Sequence, residues 1–548
     1  MDKKRVLFNS EASYLNTGYA AYGREVIKRL IDTGKYEVAE YSCYGSADDS
    51  RRRAIPWKNY PVAPTREDSD EDKNRYNSSP ANQFGAWRFE RTCLDFKPDM
   101  VCSQRDPWME SWIKHSPFRS IFSWAWASTV DSEPQSPEWI NQFADADYFY
   151  TLSEWAAGVI KQQAGPHINH VGTVTSCAAN EFQPVPNKSA HRIAMGINPD
   201  WKIIGTVMRN QRRKLFPDLF KAFGQYIHEN NATDTYLYCH TSYPDNGWDI
   251  PELMMKHGIS SRVLFSYACE ACNTISIGKF SDAVKQCKNC KKFAAKLSSV
   301  SSGATIEELA KIYNIFDVFA QYSNSEGIGI PAIEAGACGV PVMAVDFSAM
   351  SSVVRSVNGY PIPVKVKALE LETGCYRAIP DQDATVLYWK TFFEASEDER
   401  AHLSAMTRRA YETNYSWDKV IDLWMKSIDA CPKANWDKPM RQINIPTETP
   451  KFKNNKEFVD WALRSYMPYS NMVNSYEANC LLRDMNFQCH KPNPCGYFYA
   501  ENSYFDRVHY QGFGQETLIN AVKGKAEIFN FWEKARTGGI QFNKENWL

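Results

Sequence analysis

The sequence predicts an α/β fold in which two doubly wound, parallel-sheet domains face each other across a cleft. Three observations support this prediction: short β-type runs alternate with helical spacing, proline-rich segments divide the chain near positions 185 and 435, and two Cys-x2-Cys pairs interrupt the second half. We therefore predict three units: a first domain at 1–187, a second at 188–435 with a metal-binding ribbon inserted at 268–297, and a mainly helical C-terminal module at 436–548.

The first domain is predicted from short runs rich in β-branched and aromatic residues, separated by helical spacing such as that of Ala20 to Leu30. Alternation of this kind implies a parallel sheet with helices on both faces. The polar stretch from Pro56 to Pro80 is predicted as a long surface loop. The candidate strands are Val6 to Phe8, Val38 to Tyr44, Met100 to Cys102, Ile121 to Trp126, Tyr148 to Leu152 and Val171 to Val174.

The second domain is predicted to begin after the linker Phe182 to Pro186, where the same alternation starts again. Two such domains in tandem leave a cleft at the carboxyl ends of their strands, which is where open α/β sheets bind ligands. The candidate strands are Lys202 to Val207, Thr235 to Cys239, Arg262 to Tyr267, Asp317 to Tyr322 and Val340 to Val345, and the candidate helices are Pro217 to His228, Thr305 to Phe316 and Pro331 to Ala337.

The composition argues against several classes of protein. With 43% hydrophobic and 23% charged residues among 548, the chain is typical of a globular protein rather than a disordered or fibrous one. Its 63 basic and 64 acidic residues give no chain-wide attraction to nucleic acid or anionic lipid. No run approaches the roughly 20 apolar residues of a membrane span, so we expect none. The absence of a secretory apolar run and the odd number of cysteines, 15, predict a cytoplasmic protein.

The most informative segment runs from Ser325 to Val342 and reads SEGIGIPAIEAGACGVPV. A strand enters a glycine-containing turn, and Pro331 then occupies the first turn of a helix, where its missing N–H is tolerated. Free amides and the helix dipole at such a turn suit a phosphate or a cluster of hydroxyls. Glu326 and Glu334, eight residues apart, would accept hydrogen bonds from sugar or ribose hydroxyls. Taken alone, a carboxylate near a helix start is often only a cap.

This segment resembles the Glu-x7-Glu element of the family 4 glycosyltransferases, which are retaining enzymes of the GT-B fold that use nucleotide-diphosphate sugars. The similarity covers roughly residues 5–430 and continues through Val340 to Val342 and Asp346 to Ser348. It implies two Rossmann-like domains, with the acceptor on the first and the donor on the second. It also implies that Glu326 holds hydroxyls of the transferred sugar as the principal catalytic residue, and that Glu334 holds the ribose.

The resemblance extends to the groups that would hold the donor diphosphate. Arg209 and Lys214 match the family's basic pair at a strand end, and Arg212 and Arg213 between them are alternatives. The amides at Gly327, Ile328 and Gly329 would complete the donor site, together with Gly18, where a glycine lets the backbone approach a phosphate. These charges would stabilise the leaving diphosphate, so we expect no catalytic divalent metal.

The acceptor side is less well marked. Segments Arg105 to Trp108 and Ser128 to Asp131 both follow strands on the side that faces the cleft. Asp131 resembles an aspartate of some family members and is the polar group that we predict near the acceptor. The alternative for Asp131 is an Asx turn before Pro134.

A second strong pattern is formed by Cys269, Cys272, Cys287 and Cys290. Two Cys-x2-Cys pairs separated by 14 residues have the spacing of a four-cysteine zinc ribbon. Four thiolates leave no open coordination position, so we expect the zinc to be structural. The looser group of Cys480, Cys489, His490 and Cys495 lacks such spacing.

The ribbon is also the one clear basic patch of the sequence, because six lysines outweigh Glu270 and Asp282 there. A solvated face and a contact with a phosphate backbone are both consistent with such a patch. With its aromatic, Asn-rich C-terminal region the chain is similar to bacteriophage-encoded glycosyltransferases, and a hydroxymethylated pyrimidine in DNA is therefore the preferred acceptor, in the host cytoplasm. The alternatives are a polysaccharide, lipid or protein acceptor, or a GT-B binding module without activity. The six lysines of the ribbon's basic patch are Lys279, Lys285, Lys288, Lys291, Lys292 and Lys296.

Overall fold

In a computed structural model of the chain, the first domain is built on a seven-stranded parallel sheet of order β3-β2-β1-β4-β5-β6-β7. The structure describes residues 3–15, 17–299, 303–371, 373–437, 451, 453, 457, 461 and 528–539. The strands are β1 Lys4–Glu11, β2 Tyr36–Cys43, β3 Lys58–Pro61, β4 Met100–Gln104, β5 Ser123–Ser128, β6 Tyr148–Thr151 and β7 His170–Thr173.

Helices cover both faces of this sheet, as the alternating pattern predicts. They are α1 Gly18–Asp32, α2 Asp70–Asn77, α3 Pro80–Phe84, α4 Phe89–Phe96, α5 Pro107–Glu110, α6 Pro137–Phe143 and α7 Glu154–Gln163. The six predicted strands are present with shifted ends. The prediction of a long loop from Pro56 to Pro80 is wrong, because β3 pairs with β2 at the sheet edge and Ser69 caps α2 through the amide of Asp72.

The second domain has a sheet of order β12-β13-β10-β9-β8-β14-β15-β16, with β11 paired to β10. Its central parallel part contains β8 Lys202–Val207, β9 Thr235–His240, β10 Val263–Cys269, β14 Val318–Gln321, β15 Val342–Val345 and β16 Tyr360–Ile362. The helices are α8 Lys188–Ala194, α9 Phe216–Glu229, α10 Ile250–Lys256, α11 Ile306–Tyr313, α12 Ile330–Ala337, α13 Ser348–Ser356, α14 Gln382–Glu394 and α15 Glu397–Asn414.

Two antiparallel additions extend this domain. The cysteine ribbon consists of the end of β10 with β11 Ile275–Lys279, β12 Lys285–Gln286 and β13 Phe293–Leu297. A separate hairpin, β17 Val364–Glu370 and β18 Cys375–Pro380, follows β16 and was not predicted. In the described part of the chain no helix is both long and apolar enough to cross a membrane.

The last helix of the described two-domain body, α16 Trp417–Ala430, packs on the first domain. Its Trp424 lies against Phe8 and Tyr150 and donates a hydrogen bond to Tyr22 at 3.0 Å. The prediction places residues 417–430 in the second domain, whereas in the structure Trp424 of this helix is buried against the first sheet. Most of the predicted module 436–548 lies outside the described residues, as do Cys480, Cys489, His490 and Cys495; within the module, Trp532 contacts Phe118.

Candidate functional site

The candidate site lies where the loops after β8 and β14 meet at the carboxyl edge of the second sheet. These strands are neighbours, and backbone hydrogen bonds join their loops: Leu215 N donates to Tyr322 O at 3.2 Å and Asn324 N donates to Arg213 O at 2.9 Å. The pairing fixes the loop at 209–215 against the loop that leads into α12. It therefore brings basic side chains beside Glu326.

Glu326 is buried and binds two cations. Its Oε1 accepts a hydrogen bond from Lys214 Nζ, and its Oε2 accepts one from Arg213 at 2.7 Å. Ser323 and Gln321 donate to Oε1 at 2.5 and 3.2 Å, and its backbone N–H donates to Ser348 Oγ at 2.8 Å. This carboxylate is therefore held in one orientation from several sides.

The electrostatics of this cluster favour an anionic ligand. Burial opposes ionisation of Glu326, but Arg213 and Lys214 outweigh it and hold the pKa of the carboxyl at about 2. Burial and the charge of Arg213 lower the pKa of Lys214 to about 8, although Glu326 opposes this shift. At neutral pH the three groups therefore carry two positive charges and one negative charge. The net positive charge suits a phosphate.

Arg209 lies apart from this cluster in the structure. Its guanidinium contacts both oxygens of Asp245, at 2.8 and 3.1 Å, and its side chain is 45% exposed. Burial opposes ionisation of Asp245, but the hydrogen bonds from Arg209 and Ser242 hold the pKa of that carboxyl at about 2. Arg213, which the sequence leaves as an alternative to the predicted basic pair, is the arginine that lies with Lys214 beside Glu326.

The turn before α12 contains the predicted glycine segment. Gly329 is the N-cap with φ of 81°, a left-handed conformation that favours glycine, and no side chain caps the helix. Pro331 in the first turn has no N–H, and the amides of Ala332 and Ile333 donate to Gly329 O at 3.0 and 3.4 Å, so the amides available to a ligand are those that precede Pro331. Ile328 is buried against the core, and Gly327 precedes it.

Glu334 lies on α12, where Tyr313 donates a hydrogen bond to its Oε2 at 2.8 Å. Burial raises the pKa of this carboxyl to about 7, even though the hydrogen bond from Tyr313 lowers it. Glu334 and Glu326 therefore differ in their environments. Glu326 is an ion-paired anion, whereas Glu334 is close to half protonated near neutral pH.

The first domain approaches the same turn closely. A Cβ atom at Gly18 would lie 3.2 Å from Ile330 Cδ1, and a Cβ at Gly327 would lie 2.4 Å from Thr129 Cγ2. A larger residue at Gly327 would therefore force the side chain of Thr129 to shift. These contacts bring the start of α1 and the end of β5 against the turn that begins α12.

Asp131 lies at this domain boundary and is engaged by the second domain. Its Oδ2 accepts a hydrogen bond from Ser325 at 3.1 Å and pairs with Arg377 at 3.1 Å. Arg377, on β18, also bonds Ser325 at 2.8 Å and Glu370 at 2.8 Å. The prediction placed Asp131 near the acceptor, and the structure places it in an interdomain polar contact. Arg377 was missed because the hairpin that carries it was not predicted.

We expect the pair of Arg377 with Asp131 to stabilise the closed arrangement of the two domains. Replacing Arg377 and Asp131 by alanine, singly and together, is expected to give a coupling of roughly 0.5–3 kcal/mol in the free energy of unfolding, because the side chains touch. Lys367 and Glu133, which also pair across this boundary at 2.5 Å and lie nearer solvent, provide a matched second cycle. Strictly additive effects at Arg377 and Asp131 would contradict this role.

The four predicted metal ligands lie together. The Sγ atoms of Cys269, Cys272, Cys287 and Cys290 are all within 4.8 Å of one another, and two of the Sγ–Sγ distances are 3.6 and 3.7 Å. Sulfurs about 2.3 Å from a tetrahedral zinc would be about 3.8 Å apart, so the set fits that ion. Each Cys-x2-Cys pair also forms the same turn: the next residue has positive φ and donates to the first cysteine's carbonyl.

We expect the fold of the cysteine ribbon to depend on this metal more than the binding of a nucleoside diphosphate beside Glu326 does. Elemental analysis should find about one zinc per chain, because four ligands make one site. Strong chelation should make the ribbon susceptible to proteolysis, whereas the thermal shift produced by a nucleoside diphosphate should persist, because β8, β14 and their loops lie outside the ribbon. Loss of the ligand response on chelation would contradict this separation.

The ribbon lysines divide into engaged and exposed groups. Lys285 lies over the ring of Tyr267 at 3.6 Å, and Lys296 pairs with Glu270 at 2.8 Å. Phe293, at the start of β13, is 75% exposed and directly follows the exposed Lys291 and Lys292 in the chain. An aromatic ring among cations is a surface that could stack on a base and contact phosphates. The exposed group is Lys279, Lys288, Lys291 and Lys292.

Comparison with known proteins agrees with this architecture. Residues 291–382, which contain Glu326 and Glu334, match the family described as "Glycosyl transferases group 1". The chain is similar to the D-inositol 3-phosphate glycosyltransferase of Rhodococcus opacus, with 32% identity over 22% of this chain and 24% of the relative. The enzyme of the same name from Segniliparus rotundus is 30% identical over 25% of this chain and 27% of the relative. The similarity thus spans about a quarter of these curated relatives.

Solved structures extend the similarity to the whole two-domain body. Sucrose-phosphate synthase from Thermosynechococcus elongatus matches with a TM-score of 0.54 and 16% identity, over 78% of this chain and 100% of that one. Anabaena HepE in complex with UDP and glucose also gives a TM-score of 0.54, with 13% identity over 78% of this chain and 100% of HepE. The protein therefore has the GT-B glycosyltransferase fold, and its segment 291–382 matches the glycosyl transferases group 1 family.

Proposed function

We propose that this protein transfers a sugar from a nucleotide-diphosphate sugar to an acceptor hydroxyl. The observation that carries the proposal is the cluster of buried Glu326 and Lys214 with the partly exposed Arg213, which precedes the start of α12, where no side chain caps the helix. It places fixed positive charge and free amides next to an oriented carboxylate. The complex of Anabaena HepE with UDP and glucose, which has the same fold, supports a nucleotide-sugar donor.

In this proposal Lys214, Arg213 and the amides after Gly327 bind the donor diphosphate. Their positive charge would stabilise the negative charge that develops on the leaving group, without a divalent metal. Glu326 would accept hydrogen bonds from hydroxyls of the transferred sugar, and Glu334 from the ribose. Gly18 leaves room for the phosphates between α1 and α12, and Arg209 would reach them by leaving Asp245.

The stereochemical outcome and the acceptor are narrower parts of the proposal. The Glu-x7-Glu spacing supports transfer with retention. The exposed ring of Phe293 and its neighbouring lysines support a nucleic-acid acceptor that carries a hydroxymethylated pyrimidine, held through the ribbon. A small or polymeric carbohydrate is the alternative, and the D-inositol 3-phosphate glycosyltransferases among the similar proteins favour a small one.

The activity can be tested without knowing the acceptor, because water can replace it slowly. A panel of UDP-, GDP- and ADP-sugars is incubated with the protein, and released nucleoside diphosphate is measured. We expect release from at least one donor, and the released sugar should keep its anomeric configuration if transfer is retaining. A duplex with hydroxymethylcytosine and an unmodified duplex then test the nucleic-acid acceptor. No release from any donor would contradict the proposed activity.

A further inference from the structure

Asp106 is a polar side chain of the first domain that neither the predicted site nor the ion pairs of the cleft explain. It follows β4 and occupies the N-cap position of α5, but its side chain makes no capping hydrogen bond. Tyr19 donates to its Oδ1 at 2.5 Å, and Thr129 donates to the same oxygen. Among the described residues Asp106 forms no ion pair, and its Oδ2 has no hydrogen-bond partner.

The position of Asp106 places it beside the donor turn. Thr129, which binds its Oδ1, is the residue that meets Gly327 across the domain boundary. Burial raises the pKa of Asp106, whereas the charge of Arg213 lowers it, and Arg213 is the cation bonded to Glu326. Asp106 is thus close enough to the Glu326 cluster for their charges to interact, although it belongs to the other domain.

A structural role does not account for this arrangement. A carboxylate that loses part of its hydration is costly unless its oxygens are bonded, and here only one oxygen is. The two hydroxyl donors fix Oδ1, so they also fix the direction in which the partly exposed group presents Oδ2. An oxygen that is already oriented, has a free lone pair and lies beside the sugar-donor site is suited to accept a hydrogen bond from a hydroxyl of a second substrate.

The surrounding charges also limit which acceptor fits. Asp131 and Glu11 are close enough to influence the charge of Asp106 or to be influenced by it. In the proposed function the surplus positive charge of Arg213 and Lys214 is taken up by the donor diphosphate, and Arg377 is paired with Asp131 and Glu370. A phosphate beside the accepting hydroxyl would therefore meet Asp106, Asp131 and Glu11 after these cations are used.

We infer that Asp106 binds the hydroxyl that accepts the sugar, and that the acceptor is uncharged around that hydroxyl. This inference rests on the proposed glycosyl transfer. A hydroxymethyl group on a base or a hydroxyl of a neutral carbohydrate meets the requirement. Tyr19 and Thr129 are positioning residues, because they act by orienting the carboxylate.

The test uses the full chain and the donor that gives the fastest release of nucleoside diphosphate in water. Asp106→Asn keeps the shape of the side chain and an oxygen for Tyr19, but replaces the free oxygen by an NH2 group that cannot accept. We expect the release rate to fall about tenfold or more, as expected for a lost hydrogen bond to a charged group, while the donor Kd from calorimetry changes less than twofold. Asp106→Glu should recover part of the rate.

The controls separate this role from a structural one. Asp95→Asn removes an aspartate that pairs with Lys58 at 2.6 Å on another part of the first domain, and it should leave the release rate unchanged. An unchanged release rate in Asp106→Asn, or equal losses of release rate and donor affinity, would overturn the inference while the proposed activity stands. If the wild-type protein releases nothing from any donor, the proposed activity itself fails.

The charge requirement has its own measurement. D-inositol 3-phosphate at millimolar concentration is expected not to raise the release rate above that in water alone. An increase of severalfold that disappears in Asp106→Asn would show that a phosphorylated acceptor uses this carboxylate, and the uncharged-acceptor part of the inference would then be wrong.

Discussion

Replacing Glu326 by glutamine is expected to lower donor turnover about 10- to 150-fold. The amide keeps the shape of the side chain but loses the charge that strengthens its hydrogen bonds to sugar hydroxyls, and such a bond contributes about 1.5–3 kcal/mol. Turnover is measured as nucleoside diphosphate released from the best donor. Glu412→Gln, which removes a surface carboxylate paired with Arg408 at 2.7 Å, is the control and should be unaffected. Near-normal turnover in folded Glu326→Gln would contradict the assignment.

The same substitution should change the dependence of stability on pH. The folded-state pKa of Glu326 is about 2, below its ordinary value of 4.5, so the charged carboxylate stabilises the fold above pH 4.5. That contribution, on the order of 3 kcal/mol, is lost as the pH falls from about 4.5 to about 2. Glu326→Gln should therefore be less stable at neutral pH and lose less stability on acidification. Parallel pH profiles would contradict the ion-paired state.

Replacing Lys214 by alanine is expected to weaken binding of a nucleoside diphosphate at least tenfold while binding of the matching nucleoside changes little. The reason is that the ammonium is buried and belongs to a net positive cluster, where its charge interacts strongly with a phosphate. Arg213→Ala should act in the same direction. Arg209→Ala tests whether Arg209 also contributes to diphosphate affinity, because Arg209 has to leave Asp245 before it contacts a phosphate. Calorimetry with both ligands measures these effects.

The pKa of Lys214 adds a second test of the same residue. Because that pKa is about 8, the ammonium is lost as the pH rises through 8, and diphosphate affinity should decline there. Lys214→Arg retains its charge over this range and should remove most of the decline. Equal losses of diphosphate and nucleoside affinity in Lys214→Ala, or an unchanged pH profile in Lys214→Arg, would mean that the residue acts through the fold alone.

Much of the fold could be predicted because its signals are local. The runs that became β1, β4, β8 and β14 carry their own apolar periodicity, and the spacing of the four cysteines defines the ribbon without any long-range information. The hairpin β17–β18 was missed although the sequence of β17, VKVKALE, alternates apolar and charged residues as a strand does. In the structure Val366 is 54% and Leu369 is 50% exposed, and the buried residues of the hairpin are Cys375 and Ala378 of β18.

The site was predicted less completely because it depends on contacts between distant segments. Glu326, Glu334 and Lys214 stand in recognisable local patterns, but the choice of Arg213 rather than Arg209 beside Glu326 depends on the pairing of two loops after β8 and β14. The partners of Asp131 and Asp106 come from both domains, and no local spacing reports them. The packing of α16 on the first domain is likewise set by tertiary burial of Trp424.

The central claim is that the Glu326, Arg213 and Lys214 cluster forms a nucleoside diphosphate site, and the most direct test is a thermal shift. The melting temperature is measured with millimolar UDP, GDP and ADP and with the three matching nucleosides, because a ligand that binds the folded state raises it by mass action. We predict that at least one diphosphate raises the melting temperature clearly more than its nucleoside, and that Lys214→Ala abolishes the difference. Equal shifts with diphosphate and nucleoside, or no shift with any of them, would contradict the account.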